Sequence, residues 1–218
     1  MQVEDVTSTV SDVLDSMGIN STVPASYLTP VMPGKKIAGT AVTLRNIPER
    51  KTSTQGYIDK DFIRMATRDI YYISEVGDVV VSDFGGNLDV SNMGGQSCTV
   101  AKSCGLIGAV VNGAVRDVPT ITRLDFPVWS CGKTPITGKF RLEAIEINGP
   151  VTLHDIVVYP GDLILADDSG VCAVPADLAE SILKKIQTIE KDEERMRELI
   201  RNKTPLEELK PLYRSRYK

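Results

Sequence analysis

Residues 78–117 read DVVVSDFGGNLDVSNMGGQSCTVAKSCGLIGAVVNGAVRD, and this stretch decides the fold. Its first five residues (DVVVS, 78–82) form a short, nearly continuous apolar run, the pattern of a strand covered on both faces. A glycine-rich loop follows and leads through Met93-Gly94-Gly95-Gln96-Ser97 into a helix expected over 93–103. Leu106 to Val111 (LIGAVV) is a second buried strand. Asp117 opens a short helix that ends near Leu124, and PVWSC (127–131) is a further strand. Strand, helix and strand in alternation are the unit of a parallel α/β sheet.

Working outward, residues 3–16 form a short amphipathic helix with Val6, Val10, Val13 and Leu14 on its apolar side. AGTAVTLR (38–45) is a strand, and 58–67 reads as helical. After Gly138 the rhythm changes to short strands: FRLEAIEI, VTLHDIVVYPGD, LILADDSG and VCAVP. Pro160-Gly161 and Asp168-Ser169-Gly170 mark the turns between them. The sum is an α/β fold with a partly antiparallel second sheet, a single domain over 1–175. Residues 176–218 form a long C-terminal helix and tail, with Pro175 and Asp177 at its start and Pro205 at its end. The apolar stripe of that helix should pack on its own body or on a neighbouring subunit.

Composition narrows the classes. A chain of 218 residues, 42% hydrophobic, can bury a sizeable core, which excludes disordered and fibrous types. Net charge is −4, against general nucleic-acid binding, although residues 184–218 carry 11 basic and 7 acidic side chains. The longest run without Asp, Glu, Lys or Arg, residues 16–34, holds three prolines and reads as no membrane span. MQVEDVTSTV lacks the basic flank and apolar run of an export signal. Cys98, Cys104, Cys131 and Cys172 show no C-x-x-C spacing and there is one histidine, so a zinc site is not expected. Reduced, buried thiols in a cytoplasmic protein are.

The chemistry concentrates in the same window. Glycines at a helix start let a ligand approach the backbone, and the unpaired N–H groups with the helix dipole favour an anion. A carboxylate or phosphate is therefore expected on Gly94, Gly95, Gln96 and Ser97. Arg116 and Asp117 follow thirteen uncharged residues (103–115), at the carboxyl end of a strand, where open α/β sheets bind ligands. Arginine offers a fixed fork to a carboxylate or enolate oxygen, and aspartate can hold Mg²⁺ or Mn²⁺. A surface pair, or an Asp117 that merely caps the next helix, is the plainer alternative.

VSDVLDSMG, PGKKIAGTAVTLR, GDVVVSD, the glycine-rich window, GAVRD, FPVWS and PGDLILADDSGVCAVP together resemble the regulator of ribonuclease activity A-like family. That family includes the 4-hydroxy-4-methyl-2-oxoglutarate and 4-carboxy-4-hydroxy-2-oxoadipate aldolases, and its members have been mislabelled demethylmenaquinone methyltransferases. The resemblance implies a swivelling β/β/α domain, assembled as a trimer or hexamer with sites between subunits. It implies pyruvate-carboxylate binding by the backbone of Gly94, Gly95, Gln96 and Ser97, an Arg116 contact to the pyruvyl oxygen, and a divalent metal on Asp117. It also implies an acidic residue 21 positions before the arginine, where this chain has Gly95.

Asp83 or Asp89 could replace that acid, and Glu193 or Glu194 could reach a neighbouring subunit's site. His154 reads as a packing or turn residue, Asp167-Asp168 as a turn, and Lys102 and Lys133 as solvated rather than Schiff-base lysines. The expected function is a divalent-metal-dependent lyase that cleaves or decarboxylates small 2-oxo acids through a pyruvate enolate. A non-catalytic regulator that binds ribonuclease E or another protein is the alternative.

Overall fold

The computed structural model describes residues 4–60 and 68–215. Nine strands share one sheet in the order β1-β11-β10-β3-β4-β5-β6-β2, with β7 paired to β3 off that path. The central parallel strands are β3 (Ile37–Pro48), β4 (Val79–Met93), β5 (Gly108–Val115) and β6 (Val128–Lys133). Every residue of β5 is buried, Asn112 included, as in a strand with both faces covered. The short β2 (Thr29–Pro30) closes the β6 edge.

The swivel is made by one strand. Residues 37–40 of β3 pair antiparallel with β10 (Leu163–Asp167), and Ala41–Arg45 then pair parallel with β4. Past that point β7 (Leu142–Ile147) pairs antiparallel with residues 44–48. β10 continues to β11 (Gly170–Val174) and β1 (Thr22–Pro24). The antiparallel strands are thus joined to the parallel set through β3. Among the described residues, only β8 (Val151–Leu153) and β9 (Ile156–Val158) form a separate sheet.

Two further expectations change. The glycine-rich loop is strand: β4 runs on to Met93 and keeps pairing with β5, with register shifts after Asp83, Asn87 and Ser91. Gly85 and Gly86, at φ 59° and 72°, absorb the first of these shifts. β5 likewise extends to Val115, so that Arg116 is the first residue beyond it.

The buried side chains form three cores, two of which take up helices. α2 (Ser53–Asp59) starts earlier than the helix read at 58–67, most of which lies outside the described residues. α3 (Asp69–Ile73), α4 (Gly95–Ser103) and α5 (Val118–Leu124) cover one face of the parallel strands, burying Ile70, Cys98, Ala101 and Ile121. The opposite face packs Trp129 and the β8–β9 pair. α1 (Val6–Ser16) buries Val6, Val10, Val13 and Leu14 against Leu165, Cys172, Ile182 and Ile186.

The last two belong to α6 (Ala179–Arg201), so the first half of the long C-terminal helix lies on its own body. A second helix, α7 (Leu206–Ser215), follows Pro205, which at sequence level read only as a terminator. All four cysteines are free thiols, two buried and two half-buried. Among the described residues no helix is long and apolar enough to cross a membrane.

Candidate functional site

The carboxyl ends of β4 and β5 lie side by side, and the chain turns sharply at both. After β5, Asp117 takes φ 58° and ψ 37°, a left-handed conformation costing a non-glycine residue about 1–2 kcal/mol. That turn aims its carboxylate at the start of α4, where Oδ2 accepts the Gly95 N–H at 3.0 Å. Arg116 N–H donates to Met93 O at 3.0 Å and ties the same turn to the end of β4. The Arg116 Nε lies 3.6 Å from Asp117 Oδ2, and the two side chains are 37% and 43% exposed. Neither is locked into a buried pair.

The first internal bond of α4 runs from Cys98 N–H to Gly94 O, 3.0 Å. The N–H groups of Gly95, Gln96 and Ser97 therefore fall outside the helix ladder. Asp117 takes the first, which leaves those of Gln96 and Ser97 for a ligand at the positive end of the helix. A side chain at Gly94 would crowd this corner. Its backbone is extended, but a Cβ there would stand 2.9 Å from Asp117 Oδ2 and 3.0 Å from Arg116 Cγ.

These groups border a cavity of about 370 Å³. Gly94, Gln96, Ser97, Arg116 and Asp117 all line it, so the structure brings together five of the six residues singled out from the sequence. Gly95 is the exception. It does not line the cavity, its N–H is committed to Asp117, and a Cβ on it would run into Thr120 of α5 at 2.7 Å.

Across the cavity stand Thr137, Gly138 and Lys139, and Arg68, Asn92 and the apolar Met93 and Leu142 also line it. Arg68 Nη2 donates to Gln96 Oε1 at 3.2 Å. Three cations, Arg68, Arg116 and Lys139, face one described carboxylate, Asp117, so the cavity favours an acidic ligand. No motif marks Arg68, Asn92 or Lys139 in the sequence. The segment 137–139 arrives only because Ser91 of β4 bridges Thr137 and its N–H donates to Ile136 O at 2.9 Å.

Below the corner, burial first and the Asp117 charge second push the Cys98 thiol up to about 12, which disqualifies it as a nucleophile. Among the described residues no three His, Cys, Asp or Glu side chains gather into a metal cage. The donor set is one carboxylate, facing a cavity sized for a small acid. That suits Mg²⁺ or Mn²⁺, which keep waters and share ligands with an acidic substrate, and does not suit zinc.

The other acidic candidates lie elsewhere. Asp83 is buried with both oxygens bonded, and Asp89 is exposed on the β4 fold-back; neither lines the cavity. Glu193 and Glu194 bond Arg197 on α6, each at 3.1 Å, away from this cavity's lining. His154 sits at φ 57° in the β8–β9 turn, its ring 4.3 Å from that of Tyr27. Asp167, buried at the end of β10, accepts from Thr7 of α1 and from Ser169, and Asp168 in the following turn accepts from Gly34 N–H, so both fasten the turn to distant segments. Lys102 donates to Leu124 O, a helix-terminal carbonyl, and Lys133 is exposed at the end of β6.

A family model described as RraA-like, Aldolase/RraA, matches residues 7–173. The chain belongs to the RraA-like family. Among curated relatives, "Protein DlpA" of Legionella pneumophila is 30% identical over 94% of this chain and 32% of its own length. A Halalkalibacterium halodurans protein, "Putative 4-hydroxy-4-methyl-2-oxoglutarate aldolase", is 33% identical over 56% of this chain and 58% of its own. The chain thus spans about a third of the first relative and just over half of the second.

Of solved structures, Streptomyces coelicolor RraAS2 matches with a TM-score of 0.76 at 29% identity. The match covers 88% of this chain and 90% of that one, which is titled an unusual member of the RNase ES inhibitor RraA family. The RraA-like fold, a swivelling β/β/α domain with a long C-terminal helix, is the one described above.

Proposed function

We propose that this RraA-like protein is a divalent-metal-dependent lyase that releases pyruvate from small 2-oxo acids. The observation that carries the reading is the corner itself. Arg116, Asp117 and the open amides of Gln96 and Ser97 converge on one cationic cavity. The substrate's carboxylate rests on the amides of Gln96 and Ser97, where the helix dipole meets it. Arg116 turns its guanidinium to the 2-oxo oxygen. Asp117 would hold Mg²⁺ or Mn²⁺, and the ion would supply positive charge that helps stabilise the developing enolate.

Cleavage breaks the bond beyond carbon 3 and leaves its electron pair on the pyruvyl fragment, which becomes the enolate. The negative charge develops on the oxygen that Arg116 faces, and one such donor is worth roughly 10²–10³-fold in rate. Aldol cleavage needs, in addition, a base to take the proton of the 4-hydroxyl. No described carboxylate besides Asp117 lines the cavity, and Gly95 stands where the family resemblance implies an acid. Decarboxylation of oxaloacetate makes the same enolate with no such proton to remove. The cavity therefore favours oxaloacetate decarboxylation over cleavage of 4-hydroxy-4-methyl-2-oxoglutarate. The proposed assembly is a homotrimer or hexamer, whose neighbouring subunit could bring the missing acid.

The test is a pyruvate-release screen over oxaloacetate and 4-hydroxy-2-oxo acids, with and without EDTA. Turnover that EDTA abolishes and Mg²⁺ restores supports the reading; equal turnover with EDTA overturns it. Gly95 together with the likeness to the Streptomyces ribonuclease-inhibitor relative supports a second reading, a protein that binds ribonuclease E or a similar partner. No turnover in the screen, with stoichiometric ribonuclease E capture, would favour it.

A further inference from the structure

A second depression, of about 420 Å³, opens beside the cationic cavity. Its walls are α2 and the chain up to Arg141, and Thr137 and Lys139 line both depressions. The two therefore meet across that segment. Their chemistry differs: the cavity presents cations and open amides, whereas the groove presents Tyr57, Ile58 and Phe140.

Phe140 is the floor. It is 8% exposed and takes φ 61°, a left-handed conformation that is an outlier for a bulky side chain. Gly56 lets α2 settle onto it, since a Cβ there would stand 2.9 Å from Phe140 Cβ. The next two residues of the helix, Tyr57 and Ile58, are 71% and 66% exposed although both are large and apolar. The Tyr57 ring stands edge-on to Phe140, with centroids 6.2 Å apart. Lys139 Nζ lies 5.0 Å from the Phe140 centroid, so its charge stands where groove and cavity meet. Exposed apolar side chains that adjoin a cationic cavity fit a ligand with an acidic head and an apolar tail.

We propose that the groove is a specificity subsite, in which an aryl group on carbon 3 of the substrate lies against Tyr57 and Ile58. The proposal rests on the lyase reading and names its substrate class, oxaloacetates that carry an apolar substituent on carbon 3. With the pyruvyl head at Gln96, Ser97 and Arg116, the bond from carbon 3 to the carbon-4 carboxylate breaks and CO2 leaves. The electron pair of that bond forms the enolate. A proton from water then returns to carbon 3, and the product is a 2-oxo acid that keeps the aryl tail. Tyr57 and Ile58 touch the tail and not the reacting atoms, so they select the substrate and Phe140 positions them.

The experiment is calorimetric titration, in the presence of MgCl2, of two products of such a reaction. One is 2-oxobutanoate, and the other is 2-oxo-4-phenylbutanoate, which adds a phenyl ring. The wild type should bind the phenyl compound about tenfold more tightly, for the area buried and the aromatic contact. Tyr57→Ala combined with Ile58→Ala should bring the two affinities within about twofold of each other. Tyr57→Phe keeps the ring and should keep the preference. Both side chains are exposed, so melting temperatures should hold.

A wild type that binds 2-oxobutanoate and gains nothing from the ring overturns the subsite and leaves the lyase reading standing. A preference that survives the double alanine variant does the same. Light scattering on the same samples tests for another occupant: if only the double variant falls to a smaller assembly, a second copy of the chain covers the groove and the subsite is overturned. A wild type that binds neither compound overturns the lyase reading itself, and the subsite with it.

Discussion

Two aspartates stand at this end of the sheet, and they differ in what is left for them to do. Asp83, on β4, is 6% exposed and both its oxygens are spent. Oδ1 accepts from Gly85 N–H and Asn112 Nδ2, both at 2.8 Å, and Oδ2 from Thr152 N–H at 3.1 Å and Thr152 Oγ at 2.7 Å. It fastens the β4 bend to β5 and to the β8–β9 pair. Asp117, just past β5, accepts one backbone bond in a strained turn and leaves the rest of its carboxylate toward the cavity. A saturated carboxylate holds the frame, and an unsaturated one on strained backbone is available for chemistry.

The largest effect that would break this contrast is on turnover. Asp117→Asn keeps an oxygen for the Gly95 N–H and a residue type that tolerates positive φ. It should lose about 10³-fold or more in kcat/KM for oxaloacetate, because metal charge stabilisation is worth several kcal/mol. Its melting temperature should stay within a few degrees of wild type. Full turnover in a folded Asp117→Asn protein would remove Asp117 from the site.

The mirror experiment is Asp83→Ala. Four donors lose their acceptor at once in a buried position, so a stability loss of about 3 kcal/mol or more is expected in denaturant unfolding. A variant as stable as wild type would mean that the two aspartates do not divide the labour in this way.

How much of this contrast was legible in the sequence depends on whether the information is local. The strand–helix–strand unit and the Arg116-Asp117 pair at a strand end follow from runs of adjacent residues, and the structure holds both. Gly85 and Gly86 misled the reading, because glycines that look like a loop here serve as bulges in a strand that keeps pairing to Met93. Which aspartate is saturated could not be read, since Thr152 lies 69 residues from Asp83. Arg68 and Lys139 were missed because tertiary packing, not spacing, brings them to the cavity, whereas Asn92 stands two residues before Gly94 and no motif marks it. Gly95 shows the limit most sharply. Its position relative to Arg116 is right for an acid, but the direction of its Cβ belongs to the packing of α4 on α5.

That direction revises what a grafted acid can do. From the sequence alone, Gly95→Asp looks like a repair, limited only by a possible positive φ. The φ of Gly95 is not positive; the obstacle is Thr120, whose Cγ2 and Cβ would lie 2.7 and 2.9 Å from the new Cβ. Gly95→Asp alone should cost about 1–3 kcal/mol, the usual penalty of overpacking, with no gain in aldol cleavage. Pairing it with Thr120→Gly opens the space, and the double variant should raise the ratio of aldol cleavage to decarboxylation by up to about tenfold. A stable single variant with improved cleavage would show that α5 yields, and would weaken the claim that packing defines this corner.

The smallest effect probes the corner from beneath. Cys98 is wholly buried under Asp117, and burial, more than the Asp117 charge, lifts its thiol from an ordinary 9.0 to about 12. Because the folded value is the higher one, its contribution to stability is complete below about pH 9. It fades as pH rises toward 12, when the unfolded chain ionises and the folded one does not. At most one proton is involved, so the slope approaches about 1.4 kcal/mol per pH unit. The stability gap between wild type and Cys98→Ala should therefore shift by about 1 kcal/mol between pH 8.5 and 10, wild type losing ground. Repeating the pair in the Asp117→Asn background separates the causes: if burial dominates, most of the shift survives. A shift that vanishes with the charge would mean that the Asp117 carboxylate is coupled to the core beneath it, and that the two aspartates are less different than their hydrogen bonds make them.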